Sequence, residues 1–417
     1  MLASNLKKIL LTVLLLSIAL ISSGQRLGLD ILYGKQVAEL PFKLENGFII
    51  VKVHFNNTLP LKFIFDTGAE HSILFHKAYA DLLGVEYSKR IEIRGSDMST
   101  SQYALIARDI SMRLEDQIPV KRDVLVLEES LQLFQESLGF DIDGIIGGSF
   151  FRGLVVHFDY GKEKIRFFHP EKFIPPKRGY TVFDITVKSN KPYFVTQSIM
   201  SNNDTLNTKL LIDTGAAIPF LLHANTDSSI VIPEFVIKGT IGQGLSGNLM
   251  GYVGKINELK FGKFQFRQIL TLFQDIGFIR KENITLTRNG IIGNELLSRF
   301  SIYIDYLREK IYMKAEKKYN DDFEYDKSGL IVFAFGPNLR QFFVKEVFEN
   351  TPAFEADIRS GDVIKRIGIW KDRSWTLSKI SKLMQKKDGK TIRMVIERNG
   401  TKLKKRFKLR DFFKESP

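Results

Sequence analysis

Lys62-Phe-Ile-Phe-Asp-Thr-Gly-Ala69 and Lys209-Leu-Leu-Ile-Asp-Thr-Gly-Ala216 are two versions of one phrase. In each, an apolar run ends on Asp-Thr-Gly and an alanine, and the two acids, Asp66 and Asp213, stand 147 residues apart. A second pair, Asp143-Gly-Ile-Ile-Gly147 and Asn289-Gly-Ile-Ile-Gly293, recurs at 146 residues. Further on, His157-Phe-Asp-Tyr160 closing on Lys164-Ile-Arg-Phe167 is matched by Tyr303-Ile-Asp-Tyr306 closing on Lys310-Ile-Tyr-Met313. The chain therefore holds a unit of about 145 residues written twice, with a carboxylate at the same point of each copy. Two equivalent lobes can bring those carboxylates together on a pseudo-twofold axis, where they must share a proton.

The 417 residues suit two or three domains, and the 44% apolar share is enough for sizeable cores. Thirty-four phenylalanines, with many Ile and Val, favour strands over helices. With no cysteine, disulfides, thiolate metal sites and a cysteine nucleophile are excluded. Lys7 and Lys8 precede an apolar stretch, Ile9 to Ile21, that is too short to span a bilayer. Ser22-Ser23-Gly24 then offers a cleavage site, so residues 1–24 read as a signal peptide. Export follows, to a periplasmic, cell-envelope or secreted setting, and with no Cys after the apolar run a lipid anchor is not expected.

Working outward from the paired phrases, residues 37 to 55 alternate in strand fashion, and Leu61 to Phe65 is a strand running into Asp66. A short helix is expected from His76 to Gly84, then strands at Ile91–Ile93, Tyr103–Arg113 and Val120–Leu127. The second copy repeats the plan, with Tyr193–Met200, a polar turn at Ser201–Asn207, and Leu210–Ile212 running into Asp213. Pro175-Pro176-Lys177 reads as the link between copies and Lys317–Asp322 as a second boundary. The expected division is a first lobe over 25–175, a second over 176–318, and a small terminal domain over 325–417.

One Asp-Thr-Gly by itself commonly just closes a loop. Two copies in register, each with its Ile-Ile-Gly, point to a paired site. Asp66 and Asp213 would act as base and acid on a water molecule, the roles belonging to the pair. Thr67 and Thr214 can cross-bond to the opposite loop, and Gly68 and Gly215 let backbone amides approach the carboxylates. Ile146-Gly147 and Ile292-Gly293 would pack beneath the loops. Mobile covers over the cleft are expected around Gly95 and Ser96 in the first copy and around Gly242 and Gly244 in the second. Gly242-Gln-Gly-Leu-Ser-Gly247 also spells a dinucleotide fingerprint, but Asn248–Gly254 reads as strand where that motif needs a helix, so a nucleotide site is rejected. There is no H-E-x-x-H, no G-x-S-x-G and no metal-ligand spacing among the six histidines, so no metal and no cofactor other than water is expected.

These residues resemble the aspartic protease superfamily, and the retroviral-type (retropepsin-like) branch more closely than gastric pepsins. The resemblance runs over roughly residues 37 to 315. It implies a mainly β, two-lobed aspartic-protease fold, a substrate cleft between the lobes, and endopeptidase action on peptides or proteins by an Asp dyad. Pepsins usually carry Ser or Thr after Asp-Thr-Gly, whereas Ala69 and Ala216 stand here. Fewer hydrogen bonds to the carboxylates should leave the pair's pKa values higher, with activity at mildly acidic to neutral pH. Glu70 and His71 are read as neighbours of the site and kept outside the catalytic set.

From about Lys327 the chain resembles a PDZ domain, on Val344-Lys-Glu-Val-Phe-Glu-Asn-Thr-Pro-Ala353 and Ala356-Asp-Ile-Arg-Ser-Gly-Asp-Val-Ile364. An amphipathic helix at Leu377–Lys386 and a hairpin through Asn399-Gly400 complete an α+β module. The resemblance implies a peptide groove near Gln341, Phe342, Phe343 and Val344, although the family's glycines are missing there. The net charge of +14 is concentrated at the end: from Lys379 onward 14 Lys or Arg face four Asp or Glu. A solvated face, attraction to an anionic membrane surface, and tethering to a polyanion all stay open, with nucleic acid the least expected partner of an exported chain. A duplicated lobe needs no second copy, so a monomer is expected. A peptide-binding protein on the same fold without turnover is the rival reading.

Overall fold

The computed structural model describes residues 28–95, 101–115, 119–245, 247–276, 288–371 and 375–413. The signal-peptide segment lies outside the described residues. Short alternating runs fold as strands throughout, and the molecule is mainly β. Residues 37–55 divide into three strands, Val37–Pro41, Lys43–Glu45 and Phe48–Phe55, because Asn46 and Gly47 take positive φ (48° and 86°) and turn the chain. The expected short helix is Lys77–Leu82, and Gly84 follows it at φ 64°. The strand into Asp213 is longer than expected, Thr205–Asp213, and absorbs residues read as turn. A helix that the sequence reading did not anticipate, Gln132–Leu138, crosses the first lobe, burying Phe134 and Leu138. Among the described residues no helix is long and apolar enough to cross a membrane.

The two copies meet in a shared sheet. Strands Val155–Asp159 and Phe300–Asp305 pair antiparallel with His157 opposite Tyr303. These are the same position of the two copies, so the pseudo-twofold axis passes through this pair. Their rings stack at 3.8 Å and 6°. Lys164–Phe168 and Val37–Pro41 continue the sheet on one side, and Lys310–Ala315 and Thr181–Lys188 on the other. Above this layer each lobe folds its remaining strands over a phenylalanine-rich interior, and one contiguous buried core runs through both. Phe65 stacks on Phe151 at 4.8 Å within it, directly beneath the first Asp-Thr-Gly loop.

The terminal unit has its own core and a sheet in the order Leu330–Phe335, Gln341–Val347, Val363–Ile367, Thr391–Arg398, Thr401–Lys408. Helix Leu377–Met384 packs on that core through Leu377, Ile380 and Met384. The expected peptide groove at Gln341, Phe342, Phe343 and Val344 is corrected here. Those residues form an interior strand, paired to Leu330–Phe335 on one side and to Val363–Ile367 on the other, and Val344 also exchanges backbone hydrogen bonds with Gly361 and Asp362. With both edges occupied, no strand can add there. The edge beside helix Leu377–Met384 is Leu330–Phe335.

The axis pair has a pH consequence. Arg166 donates from Nη1 to Nδ1 of His157 (3.2 Å), which leaves Nε2–H to donate to Ser301 Oγ (2.8 Å). Burial, then the neighbouring Arg166 cation, push the ring down from 6.5 to about 4. A depressed folded-state pKa means this site's contribution is full above pH 6.5 and is lost as pH falls towards 4. The loss amounts to about 3 kcal/mol at most. His157→Phe keeps the stack on Tyr303 and removes the titration. Thermal unfolding followed from pH 7 to 4 should show the wild type losing more stability than the variant, and parallel curves would place the acid sensitivity elsewhere.

Candidate active site

Each Asp-Thr-Gly loop is set by a strand inserted from far along the chain. Gly144–Ile146 lies parallel to Leu59–Phe65 and antiparallel to Ser72–Leu74, and so separates the two strands that flank the first loop. Gly290–Gly293 does the same between Thr205–Asp213 and Phe220–His223. The insertion is pinned by equivalent side chains: Asp143 Oδ2 accepts from the Lys62 N–H (2.8 Å) and Asn289 Oδ1 from the Lys209 N–H (3.0 Å). Ile146 also accepts from the Asp66 N–H at 3.0 Å. The polar residue ahead of each Gly-Ile-Ile-Gly thus registers the strand, while Ile146, Ile292, Gly147 and Gly293 lie under or beside the loops as expected.

The threonines lock the loops to each other. Thr67 Oγ1 donates to the Ile212 carbonyl (2.7 Å) and accepts from the Thr214 N–H (3.1 Å). Thr214 Oγ1 donates to the Phe65 carbonyl (2.8 Å) and accepts from the Thr67 N–H (3.1 Å). Both side chains are buried, so each hydroxyl satisfies two backbone groups that water cannot reach.

This exchange puts Asp66 and Asp213 in side-chain hydrogen-bond contact with each other. Asp66 Oδ1 also accepts from the Gly68 N–H (2.6 Å) and the Ala69 N–H (3.0 Å), and Asp213 Oδ1 from the Gly215 N–H (2.8 Å). Only glycine fits beside the pair: a Cβ on Gly68 would overlap the Asp213 carboxylate, and one on Gly215 the Asp66 carboxylate. Both acids are half-buried, and desolvation pushes both upward. Asp66 is raised well above the usual carboxylate range by burial and then by the Asp213 charge. Asp213 is raised by burial, while its hydrogen bond from Asp66 and the nearby Arg288 cation oppose the shift. The pair therefore holds one proton between two oxygens, and Arg288 biases the negative charge towards Asp213.

Arg288 and Lys191 were not singled out from sequence. Arg288 is desolvated within reach of the Asp213 and Tyr193 fields, and Lys191 lies in the fields of Glu70, Arg288 and both acids. The signal for Arg288 was present as a mismatch between copies, because the residue ahead of Asp143 is the fully buried Ile142. A second asymmetry lies below. Tyr160 donates to Asn294 Oδ1 (2.5 Å), whose Nδ2 donates to the Gly47 carbonyl (2.6 Å). Tyr306, the matching tyrosine, has a buried hydroxyl without a hydrogen-bond partner among the described residues, since glycine (Gly148) stands where Asn294 does.

Of the expected covers, Gly242 and Gly244 lie on strand Ile237–Gly244, which turns into Gly247–Phe261. No helix follows the glycines, as the rejection of a nucleotide site required. The tip of this hairpin crosses to the other lobe. The Leu245 carbonyl accepts from Gln102 Nε2 (2.8 Å), and Leu245 joins the apolar cluster that includes Ala69. Ile241 joins the matching cluster with Ala216. Gly95 follows strand Tyr87–Arg94 and is half-buried, and Ser96 lies outside the described residues. Glu70 and His71 lie 3.6 Å apart and take no part in the carboxylate pair. Among the described residues no group of three or more His, Asp or Glu side chains is placed to hold a metal ion.

No protein-family model matches the chain, and no curated protein matches it. Among solved structures, an aspartic proteinase from Irpex lacteus is similar over 68% of this chain and 99% of its own length, at 14% identity and a TM-score of 0.40.

The cross-lobe lock makes a sharp prediction. Thr67→Val keeps shape but orphans the Ile212 carbonyl and the Thr214 N–H, at roughly 1–3 kcal/mol for each buried group. Urea unfolding should show a loss of about 2–5 kcal/mol. A loss under about 0.5 kcal/mol, the size of an ordinary surface change, would show that the lock carries little.

Proposed function

We propose that the chain is an aspartic endopeptidase that hydrolyses peptide bonds with a water molecule held between Asp66 and Asp213. The observation that carries this reading is the contact of two acids 147 residues apart, on equivalent loops, sharing one proton. The ionised member takes a proton from water as its oxygen attacks the scissile carbonyl carbon. The protonated member donates to the carbonyl oxygen, giving a neutral tetrahedral diol. Collapse of the diol breaks the C–N bond as a dyad proton passes to the leaving nitrogen, and the products are a carboxylic acid and an amine. The hairpin carrying Leu245 supplies a cover that excludes bulk water. We place the chain nearer the retroviral-type branch on Ala69 and Ala216, which leave the carboxylates to each other and to backbone donors, without a hydroxyl at those positions.

The terminal unit is read as a PDZ-like module. Its support is the strand–helix pair of Leu330–Phe335 and Leu377–Met384, the arrangement that strand addition of a peptide would use. Helix Gln132–Leu138 of the first lobe lies alongside that strand, so an incoming peptide would compete with the chain's own helix. The amino-terminal segment Lys7–Gly24 supports export, and the covalent pairing of lobes supports a monomer.

Asp66→Asn and Asp213→Asn should each lower cleavage of a peptide library by about a thousandfold or more, with substrate binding retained. Wild-type turnover by either variant would end the reading, whereas peptide binding by an inactive wild type would favour the rival. The upward shifts of both acids also fix a pH profile. Activity requires the singly protonated pair, so raising both pKa values moves the working range up, and cleavage should peak at mildly acidic to neutral pH. An optimum below about pH 3 would contradict the cause given, that desolvation outweighs the backbone donors.

A further inference from the structure

The sheet of the terminal unit has one face on its core, and its other face buries Phe333 at one edge and is open over strands Thr391–Arg398 and Thr401–Lys408. On the open face, strand Thr401–Lys408 presents Lys402, Lys404, Arg406 and Lys408, all exposed, at alternate positions. Arg393 lies directly opposite Arg406, and Arg366 shares a cross-strand row with Val395 and Lys404. None of these six cations has an ion pair among the described residues. The alternation sorts the rest. Lys405 pairs with Asp357, Arg398 with Asp357 and Asp362, and Arg410 with Glu355, while the acid opposite Lys402, Glu397, is 3.2 Å from Lys365. Like charges directly opposite one another destabilise a sheet, and ordinary solvated faces mix signs. An all-basic row about 20 Å long is a poor choice for stability alone.

Close to Arg393 stands an apolar projection. Ile369 is 84% exposed in the turn after strand Val363–Ile367, and the neighbouring Gly368 N–H donates to the Arg393 carbonyl at 2.7 Å. A basic surface with a projecting aliphatic side chain matches the chemistry of an anionic lipid interface, where cations meet headgroups and the apolar group enters the acyl boundary. A sheet that takes single-stranded nucleic acid stacks bases on aromatic residues, whereas the aromatics of this face, Phe333, Phe335 and Phe343, lie on the two strands farthest from the basic row and pack on one another. The placement also suits docking. Leu330–Phe335, at one edge of the sheet, lies against the first lobe, and Thr401–Lys408 is the opposite edge, four strands and about 19 Å away.

We propose that the open face of the terminal unit, built on Lys402, Lys404, Arg406, Lys408, Arg366 and Arg393 with Ile369 close by, is a docking surface for an anionic lipid bilayer. It holds the protease lobes near a membrane with the cleft free. The claim does not rest on the endopeptidase reading, because its readout is binding.

The test uses the full chain with vesicles of phosphatidylcholine alone or mixed with phosphatidylglycerol, at low and high salt, and duplex DNA as a competing polyanion. Co-sedimentation is expected only with the phosphatidylglycerol vesicles and should fall with salt. The combined change Lys402→Gln, Lys404→Gln, Arg406→Gln and Lys408→Gln should weaken it about tenfold or more, with the unfolding temperature no lower than the wild type's and solution peptide cleavage unchanged. Ile369→Asp should weaken vesicle binding and leave any DNA binding alone. Absence of vesicle binding at low salt, undiminished binding by the fourfold variant, or DNA binding without vesicle binding would overturn the proposal.

Discussion

Two hydroxyl groups hold this site together. Thr67 and Thr214 each reach across the seam and bond to both a carbonyl and an amide of the opposite loop. The consequence is geometric. Each loop can be correct only if the other is, so the carboxylates arrive at hydrogen-bond contact as a pair. Desolvation then decides the chemistry. Two like charges so close and so poorly hydrated repel, and the pair holds a proton to higher pH than two exposed aspartates would. The His157–Tyr303 stack plays the matching part below, fixing the axis about which the two loops are related.

Duplication gives near-symmetry, and the departures from it carry the directional information. Arg288 occupies the position of the buried Ile142 and so adds a cation near Asp213 that has no counterpart in the first copy. Asn294 occupies the position of Gly148 and ties Tyr160 to the Gly47 turn, while Tyr306 on the other side has no such link. The Asn46–Gly47 turn in turn reaches both lobes, with Asn46 Nδ2 donating to the Leu138 carbonyl and Gly47 packed against Ala217. A symmetric pair of acids is therefore set in an asymmetric frame.

What could be read from sequence was what the chain states locally and repeats. The Asp-Thr-Gly loops, their Ile-Ile-Gly supports and most strands need only a turn residue, an apolar run and a fixed spacing, and duplication removed the ambiguity of each short motif. Helix Gln132–Leu138 is less legible although Leu131, Phe134 and Leu138 show helical spacing, because it is short and has no counterpart in the second copy to reinforce that signal. Gln341–Val344 was misread for a different reason. Whether a strand lies at an edge or inside a sheet is a property of the assembled topology, and the local apolar pattern is the same in both cases. Arg288 needed the two copies to be compared for what differed, whereas the reading had sought what agreed.

The terminal unit is not a free appendage in this arrangement. Leu377 sits against Gly139 at the end of helix Gln132–Leu138, and Phe348 and Glu346 sit against Gly239 at the root of the second lobe's hairpin. That hairpin is thus held at both ends, by the terminal unit at Gly239 and by the first lobe at Leu245. Opening the cleft by lifting the tip must break the Gln102–Leu245 hydrogen bond and withdraw Leu245 from its cluster. A larger movement that carried the root would also have to part Gly239 from Phe348. Root and tip of the hairpin are therefore held by separate parts of the molecule, the root by the terminal unit and the tip by the first lobe, so the terminal unit is built into the frame of the site.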